Sequence, residues 1–446
     1  MAVGMQGISR IPELRKRILF TLGMLAVYRF GVYVSTPGVD VEAIKRMFNT
    51  GDGTLFGLVN MFSGGALEQF SIFTLGIMPY ISVSIIMQLL SSSVPSLEAL
   101  KKEGEAGQRI ITRYTRYFTV LLALFQGVMI AIGLEQQGVV LTPGLSFRIT
   151  TALTLASGTA FIMWLGEQIN ERGIGNGMSI VVFAGIVARM PETLLSTLVL
   201  ARNQEVAPAT ILIVLAMSFA TVAGIVFVER AHRRIPVQYP RRMVGNKVAQ
   251  AQTQYMPLKV NMSGVIPPIF ASAFLVLPAT VASLSTNEML ADLMSYLVPG
   301  TWFYSLFFVG LIIFFAFFYT AMIFNPTEVA ENLKKNGGFI PTVRPGKQTA
   351  DFLYGVLNRL TLWGSIYIAA ICIIPQLFYI SMGVTTFAYI FGGTSILISV
   401  GVILDTVSQI ESYVVARNYE EFMGKTSKVR GGLGSMGHTR ARLLRR

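Results

Sequence analysis

Ten stretches of this chain are apolar for long enough to be read as helices in lipid: residues 18–36, 71–91, 117–134, 149–166, 178–199, 209–228, 262–285, 302–324, 360–380 and 387–408. A spanning helix consumes about 20 apolar residues. Several runs are interrupted by Gly or Pro, which membrane helices tolerate where neighbours re-satisfy the backbone. Residues 1–17 are polar and basic, and the run from Ile18 has no small-residue cleavage site followed by a soluble chain, so it is expected to stay as the first helix. Two connections are long, 229–261 and 325–359, and carry turn residues and clustered bases rather than apolar alternation. They are expected to be ordered protrusions, and the Gly-rich basic segment 425–446 to be disordered in isolation.

Composition agrees with a bilayer as the solvent. Of the 446 residues 53% are hydrophobic and 13% charged, against about 25% charged in a soluble domain. The net charge of +13 fits nucleic acid, anionic lipid or a topological bias, and its distribution decides. Five of the 36 Lys and Arg (Lys45, Arg46, Arg148, Arg189 and Arg202) are assigned to one set of alternate loops, Arg29 lies within the first run, and the other 30 fall in the opposite loops and both terminal segments. By the positive-inside rule those segments, and both termini, are cytoplasmic. The single Cys372 excludes a disulfide framework.

The runs also repeat. The second carries Gly76-Ile77-Met78-Pro79 and the seventh Gly264-Val265-Ile266-Pro267; the fifth opens on Gly175-Asn176-Gly177 and the tenth on Gly392-Gly393. Two sets of five runs place these signals on equivalent helices, and five is odd, so the halves have inverted topology. Inverted repeats put functional sites at their interface, near interrupted helices. Segment 60–70, with Ser63-Gly64-Gly65, is too polar and Gly-broken to face lipid, yet it follows an apolar stretch at 55–59. Irregular backbone at membrane depth survives only inside protein or beside a watery cavity, so a short re-entrant half-helix is expected there, an external loop being the plain alternative.

These motifs carry a family resemblance. Residues 60–65 followed by 71–81, Trp164-Leu165-Gly166-Glu167-Gln168-Ile169 with 172–177, Pro257-Leu258-Lys259-Val260-Asn261 with 264–270, Asn325-Pro326 with Asn332-Leu333-Lys334-Lys335, Arg344-Pro345-Gly346, and 391–395 resemble, in order, the SecY/Sec61-alpha family of protein-conducting channels. The resemblance runs from about residue 10 to 420. It implies an all-α polytopic membrane protein of ten transmembrane helices in two pseudosymmetric inverted five-helix halves around an hourglass pore, with a re-entrant plug. The halves would be 1–204, with the plug at about 55–70, and 205–408, followed by a basic cytosolic tail at 409–446.

By position in the matching motifs, the resemblance makes Ile77, Ile81, Val182, Ile269 and Ile398 a pore ring, and Asn60, Met61, Phe62, Ser63, Gly64 and Gly65 part of the plug. Ile77 and Ile81 are i and i+4 and share a helix face on any reading. Gln88, Gln126 and Asn261 are polar residues in or beside apolar runs. The resemblance places them at a lateral gate, where a weakly bonded polar cluster would hold the seam shut. Arg344, before Pro345-Gly346, is expected at a turn tip, as a contact for the motor ATPase or the ribosome, with Arg233, Arg234, Arg241, Arg242 and Lys247 on the same surface. Asn246 stands where a common family form has the first of two adjacent basic residues.

The implied partners are SecE and SecG in a heterotrimer, the SecA ATPase, the ribosome with its rRNA, preprotein signal sequences, SecD/SecF, YidC and membrane lipid, in a bacterial inner membrane. No cofactor and no enzyme activity are expected: Gly424-Lys425-Thr426 lacks the first Gly of a phosphate loop at Tyr419, and His232 and His438 belong to no metal motif. A secondary transporter would use inverted repeats too, but it would place ionisable groups at mid-membrane. Here the runs are read as nearly free of them, apart from Arg29 and Asp405.

Overall fold

The computed structural model describes residues 11–50, 63–203, 207–239, 243–244, 247–248, 253–283, 301–381 and 391–416. Each of the ten apolar stretches carries a helix: α1 (Pro12–Val32), α3 (Met78–Ser93), α5 (Glu105–Gln136), α6 (Leu145–Arg172), α7 (Gly177–Arg202), α8 (Pro208–Glu229), α9 (Ile266–Ser283), α10 (Trp302–Ile323), α12 (Lys347–Ser381) and α13 (Gly393–Ala416). Short helices α2 (Val41–Thr50), α4 (Pro95–Lys102) and α11 (Pro326–Lys335) lie between them. Seven of the described helices are long and apolar enough to cross a membrane, and α3 with α4, bent by 95°, makes an eighth. This is a multi-pass membrane protein.

The outward faces are apolar. Phe219, Phe227, Trp302 and Phe303 are all exposed, as they must be where lipid replaces water. Inside, helices approach through small residues: a Cβ on Gly127 of α5 would lie 2.9 Å from the Ala152 Cα of α6. Buried hydroxyls bond back along their own helices, as Thr115 does to the Ile111 carbonyl and Thr119 to the Thr115 carbonyl. With no hydrophobic drive between helices in lipid, close packing and satisfied polar atoms hold the bundle together.

The repeated signals fall at matching helix starts. Gly76 and Gly264 both have positive φ, +55° and +62°, two residues before the first residue of α3 and of α9. Pro79 and Pro267 occupy the second helical position, where no partner is needed for a backbone N–H. Gly177 opens α7 against the Gly166 carbonyl of α6, and Gly393 opens α13 against the Ile371 carbonyl of α12; a side chain at either would collide with backbone.

The long loops differ from expectation. Residues 232–259 do contain apolar alternation: β1 (His232–Gln238) pairs antiparallel with β4 (Thr253–Lys259), and β2 (Met243–Val244) with β3 (Lys247–Val248). Ile235 and Val237 point inward from β1. Pro236 and Pro257 are tolerated because a two-stranded ladder is all edge. The two loops also form one body rather than two. Gln238 and Phe339 exchange backbone hydrogen bonds of 2.9 and 3.0 Å, and Ile235 and Leu258 share a core with Ile340, Leu353, Val356 and Leu360.

Candidate pore and plug

The second apolar run does not become helix at its start. Residues 63–77 form successive turns, and α3 begins only at Met78. The expected half-helix is therefore absent from the described part of the plug, 63–70; Asn60, Met61 and Phe62 lie outside the described residues. The cause is local. Gly64 and Gly65 take φ +66° and +90° and Phe70 +41°, which end any helical run. The turns satisfy themselves: the Ser71 N–H donates to the Ala66 carbonyl at 2.9 Å, the Thr74 hydroxyl to the Ser71 carbonyl at 2.6 Å, and the Gly76 N–H to the Phe73 carbonyl at 2.8 Å.

Neighbouring helices clamp this irregular segment. The Tyr28 hydroxyl of α1 donates to the Ser63 carbonyl at 3.0 Å, and Arg29 Nη1 donates to the Gly64 carbonyl at 2.9 Å. Arg189 of α7 pairs with Glu68 at 2.8 Å. Gly64 lies so near α7 that a Cβ there would sit 2.7 Å from the Gly185 Cα. Phe73 fits over Gly31, which has no side chain to obstruct it, and stacks between Tyr28 and Phe161 with centroids 5.9 Å from each. Outside the helices, the Thr36 N–H bonds the Phe70 carbonyl at 2.8 Å and the Ile72 N–H the Val34 carbonyl at 2.9 Å.

Three of these anchors were not assigned from sequence. Arg29 stood out as an ionisable group in an apolar run, and such groups are functional by default, but its partner was not visible. Arg189 was assigned to a loop, whereas it lies inside α7, which runs from Gly177 to Arg202 through Pro191. Glu68 gave no signal apart from its place in segment 60–70.

Ile77, Ile81, Val182, Ile269 and Ile398 are all buried and belong to one apolar cluster, to which α3, α7, α9 and α13 contribute together with Ile77 just before α3. The clamped segment reaches this cluster directly. Ser63 Cα lies 3.6 Å from where a Cβ on Gly76 would be, and Gly76 immediately precedes Ile77. These five side chains are aliphatic and uncharged, and the cluster around them also holds Tyr28, Phe73, Phe270 and Tyr304.

The three amides read from sequence do not bond to one another. Gln88 donates to Ser84 on its own helix at 3.4 Å, and Gln126 is buried on α5. Asn261 organises the turn before α9: its Oδ1 accepts from the Ser263 hydroxyl and the Gly264 N–H, both at 3.1 Å, while Nδ2 donates to Glu229 at 2.6 Å and to the Gly264 carbonyl at 3.1 Å. Its side chain is consumed locally and cannot reach across a seam. Lys259 lies 3.9 Å from Asp405 of α13.

Arg344 is exposed in the turn that opens α12, and Gly346 takes the positive φ (+108°) that a type II Pro-Gly turn requires. Its own carbonyl accepts from the Thr349 hydroxyl at 2.9 Å. Arg233 and Arg234 are exposed on β1 of the same body. Lys247 is in β3, of which only the backbone is described, and Arg241 and Arg242 lie outside the described residues. Among the described residues no group of three or more His, Cys, Asp or Glu could hold a metal ion.

Fold and site together define a class, the polytopic α-helical membrane proteins that bury a non-helical segment among their spans. The SecY family model matches residues 71–407. Protein translocase subunit SecY of Escherichia coli K12 is 48% identical over 425 residues, 94% of this chain and 95% of that protein; that of Pseudomonas aeruginosa is 46% identical over 430 residues, covering 96% and 97%. Among solved structures, a protein-conducting channel superposes with TM-score 0.63 at 16% identity, covering 89% of this chain and 92% of that one. A SecY whose plug domain stabilises the closed state and maintains a membrane seal gives 0.61 at 16%, and Sec61 in the canine ribosome–channel complex 0.60 at 15%, each with the same coverage. The chain belongs to the SecY family.

Proposed function

We propose that this chain is the channel-forming subunit of a preprotein translocase. It passes unfolded chains across the bacterial inner membrane and releases apolar segments sideways into lipid, with both termini cytoplasmic. It consists of ten spans in two inverted halves, 1–204 and 205–408, and a cytosolic tail at 409–446. The matching Gly-Pro starts of α3 and α9, and the matching Gly contacts of α7 and α13, support that division.

One observation carries the mechanism: a clamped, non-helical segment abuts an uncharged apolar cluster drawn from both halves. An apolar constriction excludes ions by dewetting, without a charged barrier. Its contacts are weak and non-directional, so it deforms around a passing chain of any sequence. Ile77, Ile81, Val182, Ile269 and Ile398 form this ring, and segment 55–70 is the plug that rests on it. The family is one of translocation channels, and energy comes from partners: SecA or the ribosome at the body that bears Arg344, Arg233 and Arg234, with SecE and SecG as membrane subunits and SecD/SecF and YidC as accessories. The ribosome is the partner of the superposed Sec61. Gln88, Gln126 and Asn261 border the lateral gate through which signal sequences reach lipid.

Reconstitution into proteoliposomes with SecE, SecG, SecA, ATP and a labelled preprotein tests the reading. Protease-protected preprotein that depends on ATP and on this chain is expected; its absence with correctly inserted complex would overturn the assignment.

A further inference from the structure

Resting on the plug reading above, we propose that Glu68 and Arg189 form an ionic latch that sets the threshold for plug release, and that Arg29 and Arg189 are positioning residues for the plug. The plug's bonds from Ser63, Gly64, Glu68 and Phe70 to Tyr28, Arg29, Arg189 and Thr36 tie it to residues before 204. The ring residues Ile269 and Ile398 can move away with the other half without breaking those bonds.

The anchors differ in character. Tyr28 holds the Ser63 carbonyl in a fully buried site. The Glu68–Arg189 pair retains 25% and 18% exposure of its side chains, so packing within the protein does not seal it off. A pair of this kind is weakened by salt and by competing charges far more than a buried hydrogen bond is. Arg29 favours the seated state for a different reason. At membrane depth its guanidinium is satisfied by the Gly64 carbonyl and lies over the Tyr33 ring at 5.7 Å, and departure of the plug removes the first of these partners from a charge that is costly to leave unpaired there.

The test is resting conductance in planar bilayers of the complete complex, at low and high KCl. Arg189→Glu and Glu68→Arg each place like charges face to face, and each is expected to raise resting conductance by on the order of tenfold. Combining the two reverses the pair and is expected to restore the seal and its salt dependence, whereas Arg189→Lys should remain close to the parent. Deletion of 63–70 serves as the control for the plug itself. If the deletion leaks while both charge reversals stay tight, or if the reversed pair leaks as much as either single variant, the latch is overturned and the plug reading stands. A deletion variant as tight as the parent overturns both.

Discussion

At the scale of single residues, the proposed seal depends on side-chain type and the proposed plug on the lack of side chains. Replacing Ile77, Ile81 and Ile398 together with Ser puts hydroxyls into the proposed constriction, and each change also removes volume. The variant is expected to leak ions at rest yet still transport preprotein, because the ring supplies a seal and no driving force. Single-channel conductance, alongside expression level, checks this; a triple variant as tight as the parent would show that these residues are not the constriction. Gly64 makes the opposite point. It needs φ +66°, and a Cβ there would meet the Gly185 Cα at 2.7 Å. Gly64→Val should therefore unseat the plug, with a raised resting conductance and a gain of protease cleavage in segment 63–70. Neither requirement is visible in a sequence, where Gly64 is one of 42 glycines.

At the scale of elements, the start of α9 is held by one side chain. Asn261 takes part in four hydrogen bonds, one of them to the carboxylate of Glu229, the last residue of α8. Asn261→Leu removes this partner from a half-buried carboxylate and a backbone N–H, at a cost of about 1–3 kcal/mol. The expected result is a lower thermal midpoint in detergent and an altered threshold for export of preproteins with graded signal hydrophobicity, because α9 contacts α3 along the proposed seam. An unchanged midpoint would mean that the turn forms without its amide. The sequence marked Asn261 as polar and out of place. It could not show that the partners lie within three residues and at Glu229, since a partner of an amide is set by the path of the chain.

At the scale of the whole molecule, the body that bears Arg344 is a joint product of two loops far apart in the chain. Arg344→Glu replaces attraction by repulsion at an exposed turn and is expected to abolish SecA-driven transport while leaving insertion of the channel and its resting seal intact. Ile235→Asp attacks the same function from inside: it buries a carboxylate in the core that Ile235 shares with Leu353 and Val356. It should lower transport as much as Arg344→Glu, through loss of the body's structure, which limited proteolysis of 229–261 and 325–359 would show. Normal SecA-dependent transport by both variants would remove this body from the motor contact.

What the sequence determined by itself follows from solvent and from local stereochemistry. A bilayer demands long apolar helices with satisfied backbones, so the ten helical stretches, the Gly-Pro helix starts and the Arg344 turn were all legible in one dimension. Ile77 and Ile81 had to share a face for the same reason. Tertiary structure alone decided which polar groups meet. Arg29 pairs with a carbonyl 35 residues away and Arg189 with a carboxylate 121 residues away. Neighbouring side chains that donate to the carbonyls of Ser63 and Gly64 hold the turns at 63–77 in place, and the β-ladder exists because another loop covers its inner face. Hydrophobic periodicity reports what a segment must hide, and it carries no information about what will be waiting on the other side.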